Sequence, residues 1–126
     1  MKSIPINFKG SLRKPIDILN KSLYIKLLSV YEMMLCESTA QSLVIKFINE
    51  GLERSKAQSV ADNICLCMMC LYNEDGSQVF SDVESVMVDF TPDELLLVIN
   101  EYEKFRKEHM GFDKFDDQAF EMLKKN

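Results

Sequence analysis

Residues 55–80 read SKAQSVADNICLCMMCLYNEDGSQVF, and the fold turns on how this stretch is read. Ala57, Val60, Ala61, Ile64, Cys65, Met68 and Tyr72 recur at three- and four-residue steps, the spacing that aligns side chains on one face of a helix. Ser55 and Gln58 fit a capping box, in which each side chain satisfies a backbone N–H of the first turn. From Ile64 to Tyr72 every residue is apolar, so that half of the helix must be surrounded by protein and is the predicted centre of the core. Asn73-Glu74-Asp75-Gly76-Ser77 then breaks it, because glycine takes a positive φ without steric cost and Asp-Gly is turn chemistry.

Toward the C-terminus, Ser81 and Glu84 fit a second box and open a brief helix around Val83 to Met87. Thr91-Pro92-Asp93-Glu94 combines a cap, a proline at the first helical position and the glutamate that closes the box, with Phe90 placed to staple onto Leu95. Leu95, Val98, Ile99, Tyr102 and Phe105 form the buried stripe of this helix, and Gly111 ends it. A short acidic helix from about Asp116 to Lys124 follows.

Toward the N-terminus, Ser38 and Gln41 fit a further box opening a helix with the stripe Leu43, Val44, Phe47 and Ile48. Gly51 stops it, with Leu52 placed for the apolar contact of such ends. Lys21 to Cys36 also reads as helical, with Tyr24, Leu27, Leu28, Tyr31, Met34 and Leu35 on the buried face and Lys26, Ser29 and Glu32 on the wet side. Pro15 to Asn20 adds a helical turn. Ile4, Ile6 and Phe8 alternate around Pro5, as in a short edge strand or an ordered arm. The expected fold is an all-α, compact single-domain bundle of five or six helices, with at most a short β element at the N-terminus. Its expected divisions are a basic N-terminal arm (1–20), a helical core domain (21–111) and an acidic C-terminal segment (112–126).

The 126 residues suffice for one domain and one core. A net charge of −5 argues against general nucleic-acid binding, which needs a phosphate-neutralising surface. The charge is uneven: residues 1–30 carry six basic groups against Asp17 alone, which leaves −10 on the remainder. A basic arm on an acidic body suits self-association or an acidic partner, as well as plain solvation. No signal peptide is visible, and the nine-residue apolar run is far short of the roughly 18 residues of a membrane span. Four cysteines, three of them in the core helix, read as buried thiols of a reducing cytoplasm.

Candidate chemistry fails on geometry. Cys65, Cys67 and Cys70 spell CxCxxC, but on a helix the second and third point about 200° and 140° around the axis from the first. Three thiolates cannot converge on one metal without unwinding it. His109 has no activating neighbour in sequence and reads as a surface group complementing the helix dipole. Aligning Gly76 with the glycine of a calcium loop puts Leu71 at the first ligand position, where an aspartate belongs. A helix-turn-helix would need a basic recognition helix, which is missing beyond Lys26. The expectation is a non-enzymatic chain with no catalytic, cofactor-binding or metal-binding residues.

The block from Ala57 to Gly111 resembles small tail assembly chaperones of long-tailed bacteriophages. The carrying residues are Leu71-Tyr72-Asn73-Glu74-Asp75-Gly76, Val79-Phe80-Ser81-Asp82, and Glu94-Leu95 through Tyr102. The resemblance implies a protein of the infected host's bacterial cytoplasm that keeps the helical tape measure protein soluble and helps recruit major tail protein. It implies protein partners, self-association, and no nucleic acid, membrane or cofactor. The partner-binding residues expected on this reading are Asn73, Glu74, Asp75, Gly76, Phe80, Met87 and Phe90. Eight methionines, among them Met33, Met34, Met68, Met69 and Met87, supply either adaptable binding surface or core filling. Rival readings are a small phage or prokaryotic inhibitor of a host protein, and a small regulator that binds nucleic acid through the basic arm.

Overall fold

The computed structural model describes residues 13–110. Its first elements overturn a helical expectation. Strands β1 (Arg13–Ile18) and β2 (Lys21–Lys26) form an antiparallel hairpin, in register from Arg13↔Lys26 to Ile18↔Lys21. Leu19 and Asn20 make the turn at φ 57° and 59°, the left-handed pair that matches the twist of a two-residue hairpin. The helical turn expected at Pro15–Asn20 does not form, and the helix expected from Lys21 begins only at Val30. Leu23, Ile25 and Leu27 are buried at every second residue, and β2 pairs with β1 along its whole length. Residues 13–18, counted with the basic arm by charge, are part of this sheet.

Strand β3 (Leu71–Tyr72) pairs with β2 and completes a three-stranded sheet of order β1-β2-β3. Its inner face carries Ile16, Ile18, Leu23, Ile25 and Leu71. On the outer face the Arg13 guanidinium lies 4.5 Å from the Tyr24 ring centre and the Lys26 ammonium 4.7 Å from that of Tyr72.

Helix α1 (Val30–Asn49) starts at Ser29, whose side chain accepts the Glu32 N–H while Glu32 accepts the Ser29 N–H. The box expected at Ser38 and Gln41 does not exist; both residues lie inside one continuous helix, where no backbone N–H needs a cap. With α1 phased by buried Cys36, Ala40, Leu43 and Val44, the expected stripe at Leu43 and Val44 is buried, but Tyr31, Met34 and Leu35, expected on the buried face of the first turns, are turned outward: Tyr31 is 68% and Met34 62% exposed. The helix ends as the sequence implies. Gly51 sits at φ 106°, with its N–H donating to Ile48 O and that of Leu52 to Phe47 O, the paired bonds of a Schellman end.

Helix α2 (Arg54–Cys70) is the centre of the core, with Ala57, Ala61, Cys65, Cys67 and Cys70 fully buried, followed by Leu71. The alanines, with Ala40 opposite on α1, let the two helices approach closely. The N-cap is Glu53, and the Ser55–Gln58 box is absent: Ser55 Oγ donates to Glu53 Oε1 at 2.6 Å and Gln58 Nε2 to Asp62. Val60 is 38% exposed, and Met68 and Tyr72 are half-buried, so the predicted face is right in its centre and wrong at its margins. Helix α3 (Val83–Asp89) is capped by Asp82, one residue after the predicted Ser81. Helix α4 (Pro92–Met110) carries the predicted Thr91–Glu94 box, and Val98, Tyr102 and Phe105 are buried.

The described residues thus form a small, mostly helical domain of four helices with a short three-stranded sheet. The helices expected at Lys21–Cys36 and from Ser38 are one, and the first part of the former is strand. Gly111, the helix expected at 116–124 and the alternation at Ile4, Ile6 and Phe8 lie outside the described residues. Among the described residues no helix is long and apolar enough to cross a membrane.

Candidate functional site: two apolar clefts

Two concave apolar surfaces flank α2. The first, about 380 Å³, is lined by Phe47, Val60, Ile64, Val86, Met87, Phe90, Thr91, Pro92 and Leu95. It arises where the short helix α3 and the start of α4 leave a gap over α1 and α2. Phe90 is held there by an edge-to-face contact with buried Phe80, ring centres 5.3 Å apart. Of the residues expected to meet a partner, Met87 and Phe90 line this cleft and Phe80 supports it from within.

The other expected residues are elsewhere. Asn73, Glu74, Asp75 and Gly76 form a turn closed on itself: Asn73 N–H donates to Ser77 O at 2.8 Å and Gly76 N–H to Asn73 O at 3.0 Å. The Ser77 hydroxyl and N–H both donate to Asp75 Oδ1, which holds that carboxyl below its ordinary range. Arg13 donates to Glu74 O, so the turn is tied to the sheet. The seven expected residues therefore fall into two groups with different surroundings.

The second cleft, about 420 Å³, lies between the start of α1 and the middle of α2. Val30, Met33, Met34, Cys36 and Leu66 line it, and the carboxylates of Glu37 and Asp62 stand beside them. Burial, with Asp62 and Glu37 adding, pushes the Cys36 thiol up to about 11. The cleft opens onto a broad apolar surface: Val30 is 79%, Tyr31 68%, Met34 62% and Ile45 62% exposed. With each residue turning by about 100°, the arc of α1 from Val30 to Leu35 also carries Ser38, Gln41, Ser42 and Ile45, and no charged residue. A charge-free arc along most of a helix, apolar in its first turns, is unusual on a solvated surface.

Sequence reasoning missed this surface because it assigned Tyr31, Met34 and Leu35 to the interior. The signal that marks it is the absence of charge along the arc between Glu37 and Lys46, which carries Val30, Met34, Ser38, Gln41 and Ile45.

Burial favours the protonated form of the other three thiols as well. Burial pushes Cys65 up to about 12 and raises Cys67 and Cys70 further. Among the described residues no group of three His, Cys, Asp or Glu could hold a metal ion. His109 Nδ1 lies 3.2 Å from Phe105 O, with its ring edge-on to the Phe105 ring.

Fold and surface together define a small mostly helical domain with methionine-bearing apolar clefts. No family model, no curated protein and no solved structure matches the chain.

Proposed function

We propose that this protein works by holding another protein, and that it is a tail assembly chaperone of a long-tailed phage. In this reading the cleft between α1 and α2 and the adjoining charge-free arc take an apolar helix face of the tape measure protein. The bound chaperone keeps that client soluble and helps recruit major tail protein in the host's bacterial cytoplasm. No catalytic step is assigned to it. The observation that carries the reading is the uncharged stripe from Val30 to Ile45, with exposed Met34 on it and exposed Met33 lining the cleft beside it. Unbranched thioether side chains adapt to apolar knobs of varied shape, which suits a client of repeating helical sequence.

Glu37 and Asp62 at the cleft favour client helices whose apolar face is flanked by lysine or arginine. The test is co-expression with the tape measure protein of the same genome. A soluble, co-purifying complex that Met34→Asp abolishes supports the reading. An insoluble client and no complex, with both proteins made, counts against it. A host protein captured through the same cleft would favour the inhibitor reading instead.

A further inference from the structure

We infer that the cleft between α3 and the start of α4 is a second docking site, and that it takes a short amphipathic segment of another protein, with bulky apolar anchors and lysine or arginine along one flank. The inference rests on this cleft alone and not on the chaperone reading, which uses the other one. Three observations carry it.

The first is separation. On α2 this cleft is walled by Val60 and Ile64, whereas the α1–α2 cleft is walled by Asp62 and Leu66. At about 100° per residue, positions two apart are turned by about 200°, so the two clefts lie on opposite sides of α2. They share no lining residue, and both can be filled at once.

The second is what the cleft offers. Among the described residues that line it, Thr91 has the only polar side chain. Its hydroxyl is already engaged, donating to Glu94 Oε1 and accepting the Glu94 N–H, both at 3.2 Å. Small-molecule sites combine apolar walls with a few polar groups that fix orientation. Here no polar side chain is left for that purpose, and orientation must come from charge at the rim. The space of about 380 Å³ is about that of a single helical turn with its side chains, so it takes anchors and not a whole helix.

The third is charge. From Ala57 to Glu103 the chain has ten acidic residues and no lysine, arginine or histidine. Asp89 and Asp93 flank the lining run Phe90-Thr91-Pro92, and Glu94 precedes the lining Leu95. Among the described residues, none of Asp82, Glu84, Asp89, Asp93 and Glu94 forms an ion pair. Apolar surface continues past the rim: Val88, 82% exposed, shares a hollow on α3 with Asp82, Glu84 and Asp89. Lys46, next to Phe47, and Lys56, one turn before Val60, belong to the α1 and α2 walls. The occupant's basic flank therefore lies along α3 and α4, where each cation meets an unpaired carboxylate.

The probe is a fluorescein-labelled peptide of about 15 residues with leucine and phenylalanine at helical spacing and lysine elsewhere; its counterpart carries glutamate for lysine. Titrated with the full chain and read by fluorescence anisotropy, the lysine peptide is expected to bind at least about tenfold more tightly than the glutamate peptide. Asp89→Asn with Asp93→Asn should weaken the lysine peptide about fivefold and flatten its salt dependence. Val60→Gln, at a 38% exposed position, removes part of the apolar wall and should weaken binding several-fold with the far-ultraviolet circular dichroism unchanged. Glu37→Gln with Asp62→Asn takes two charges from the other cleft and should leave the affinity as it was. Equal binding of the two peptides, or none of either, overturns the inference. So does a loss on changing Glu37 and Asp62 that Asp89 and Asp93 do not reproduce, which would seat the peptide in the α1–α2 cleft. Self-association of the chain that Val60→Gln breaks up also overturns it, in favour of a second copy in this cleft. Capture of tape measure protein, and its loss with Met34→Asp, is read separately. A peptide bound at α3 and α4 with no client captured sinks the chaperone reading and leaves this one standing.

Discussion

The hydroxyl of Tyr102, midway along α4, accepts a hydrogen bond from the backbone N–H of Leu28 at 3.2 Å. Leu28 lies in the three-residue link between β2 and α1, so one phenol joins the last helix to the hinge between sheet and bundle. Tyr102 is buried, and burial raises its pKa, so the hydroxyl stays protonated across the neutral range. Tyr102→Phe keeps the ring and leaves the Leu28 N–H without its acceptor. The expected cost is about 1–2 kcal/mol, seen as a lower urea midpoint at unchanged slope. An unchanged midpoint would mean that water replaces the phenol.

Leu71 joins α2 to β3 and is wholly buried, whereas Met68 one turn earlier is only half-buried. Leu71→Asp places an unpaired charge in the core and should cost about 3 kcal/mol or more, enough to abolish the cooperative thermal transition. Met68→Asp should be milder, since its carboxylate has a route to solvent. Glu74→Ala should stay within about 0.5 kcal/mol of the parent, because Arg13 contacts the Glu74 carbonyl and not its side chain. Thermal melts of the three variants, ranked in that order, check the placement of the core.

The helical core was legible where capping chemistry and apolar spacing agreed. Thr91, Pro92 and Glu94 start α4, and Gly51 with Leu52 ends α1, as their residue types demand. The hairpin was hidden because Leu19-Asn20 makes a left-handed turn with no glycine to announce it. Leu23-Tyr24-Ile25-Lys26-Leu27 also satisfies a period of two as well as it satisfies helical spacing. Ser-x-x-Gln recurs at Ser38 and Ser55 without making a box. A side chain caps only where the backbone leaves an N–H free, and that is settled by where the helix begins. Ser29 and Glu32, read as the wet side of a helix, are the true box.

The four thiols give a graded chemical prediction. Cys65, Cys67 and Cys70 are fully buried, while Cys36 retains 9% exposure and lines the α1–α2 cleft. All four are raised in pKa, foremost by burial, so the thiolate is scarce near neutrality. A chromogenic disulfide reagent at mildly alkaline pH should modify Cys36 first and the other three only on the timescale of global opening. In urea all four should react at one rate. Rapid modification of Cys67 or Cys70 in the folded protein would contradict their burial. Peptide mapping of the first-labelled thiol distinguishes the outcomes.

The clefts were less legible than the core, for a reason particular to Asp62 and Leu66. These residues belong to α2 and become part of a surface only when α1 is laid beside them at a definite phase. Apolar spacing within α1 alone puts Met34 on either side of the helix. Its outward position follows from Cys36, Ala40, Leu43 and Val44 taking the inward one. Met87 and Phe90, expected among the partner-binding residues on the resemblance alone, line the other cleft.

The pair Lys26–Glu32 gives the fold a pH signature at both ends. Glu32 uses one oxygen for the Ser29 N–H at 2.8 Å and the other for the Lys26 ammonium at 2.9 Å. Burial works against both charges, raising the carboxyl and lowering the ammonium, but their mutual hydrogen bond and attraction outweigh it, helped by the Ser29 groups at Glu32 and by Tyr72 at Lys26. Glu32 is held below 4.5 in the folded state, so its contribution is full above that value and disappears as pH falls through the folded pKa. Lys26 is held above 10.5, so its contribution is full below that value and disappears as pH rises through the folded pKa. Glu32→Gln keeps an acceptor for the Ser29 N–H and removes only the charge. Urea midpoints of parent and variant should differ most between about pH 5 and 10 and draw together in acid. In strong alkali the gap should narrow as well, once Lys26 is neutral and only the Ser29 groups still favour the charged carboxylate. A gap that closes in acid but keeps its full size in strong alkali would show that the carboxylate serves the helix cap alone, with no coupling to Lys26.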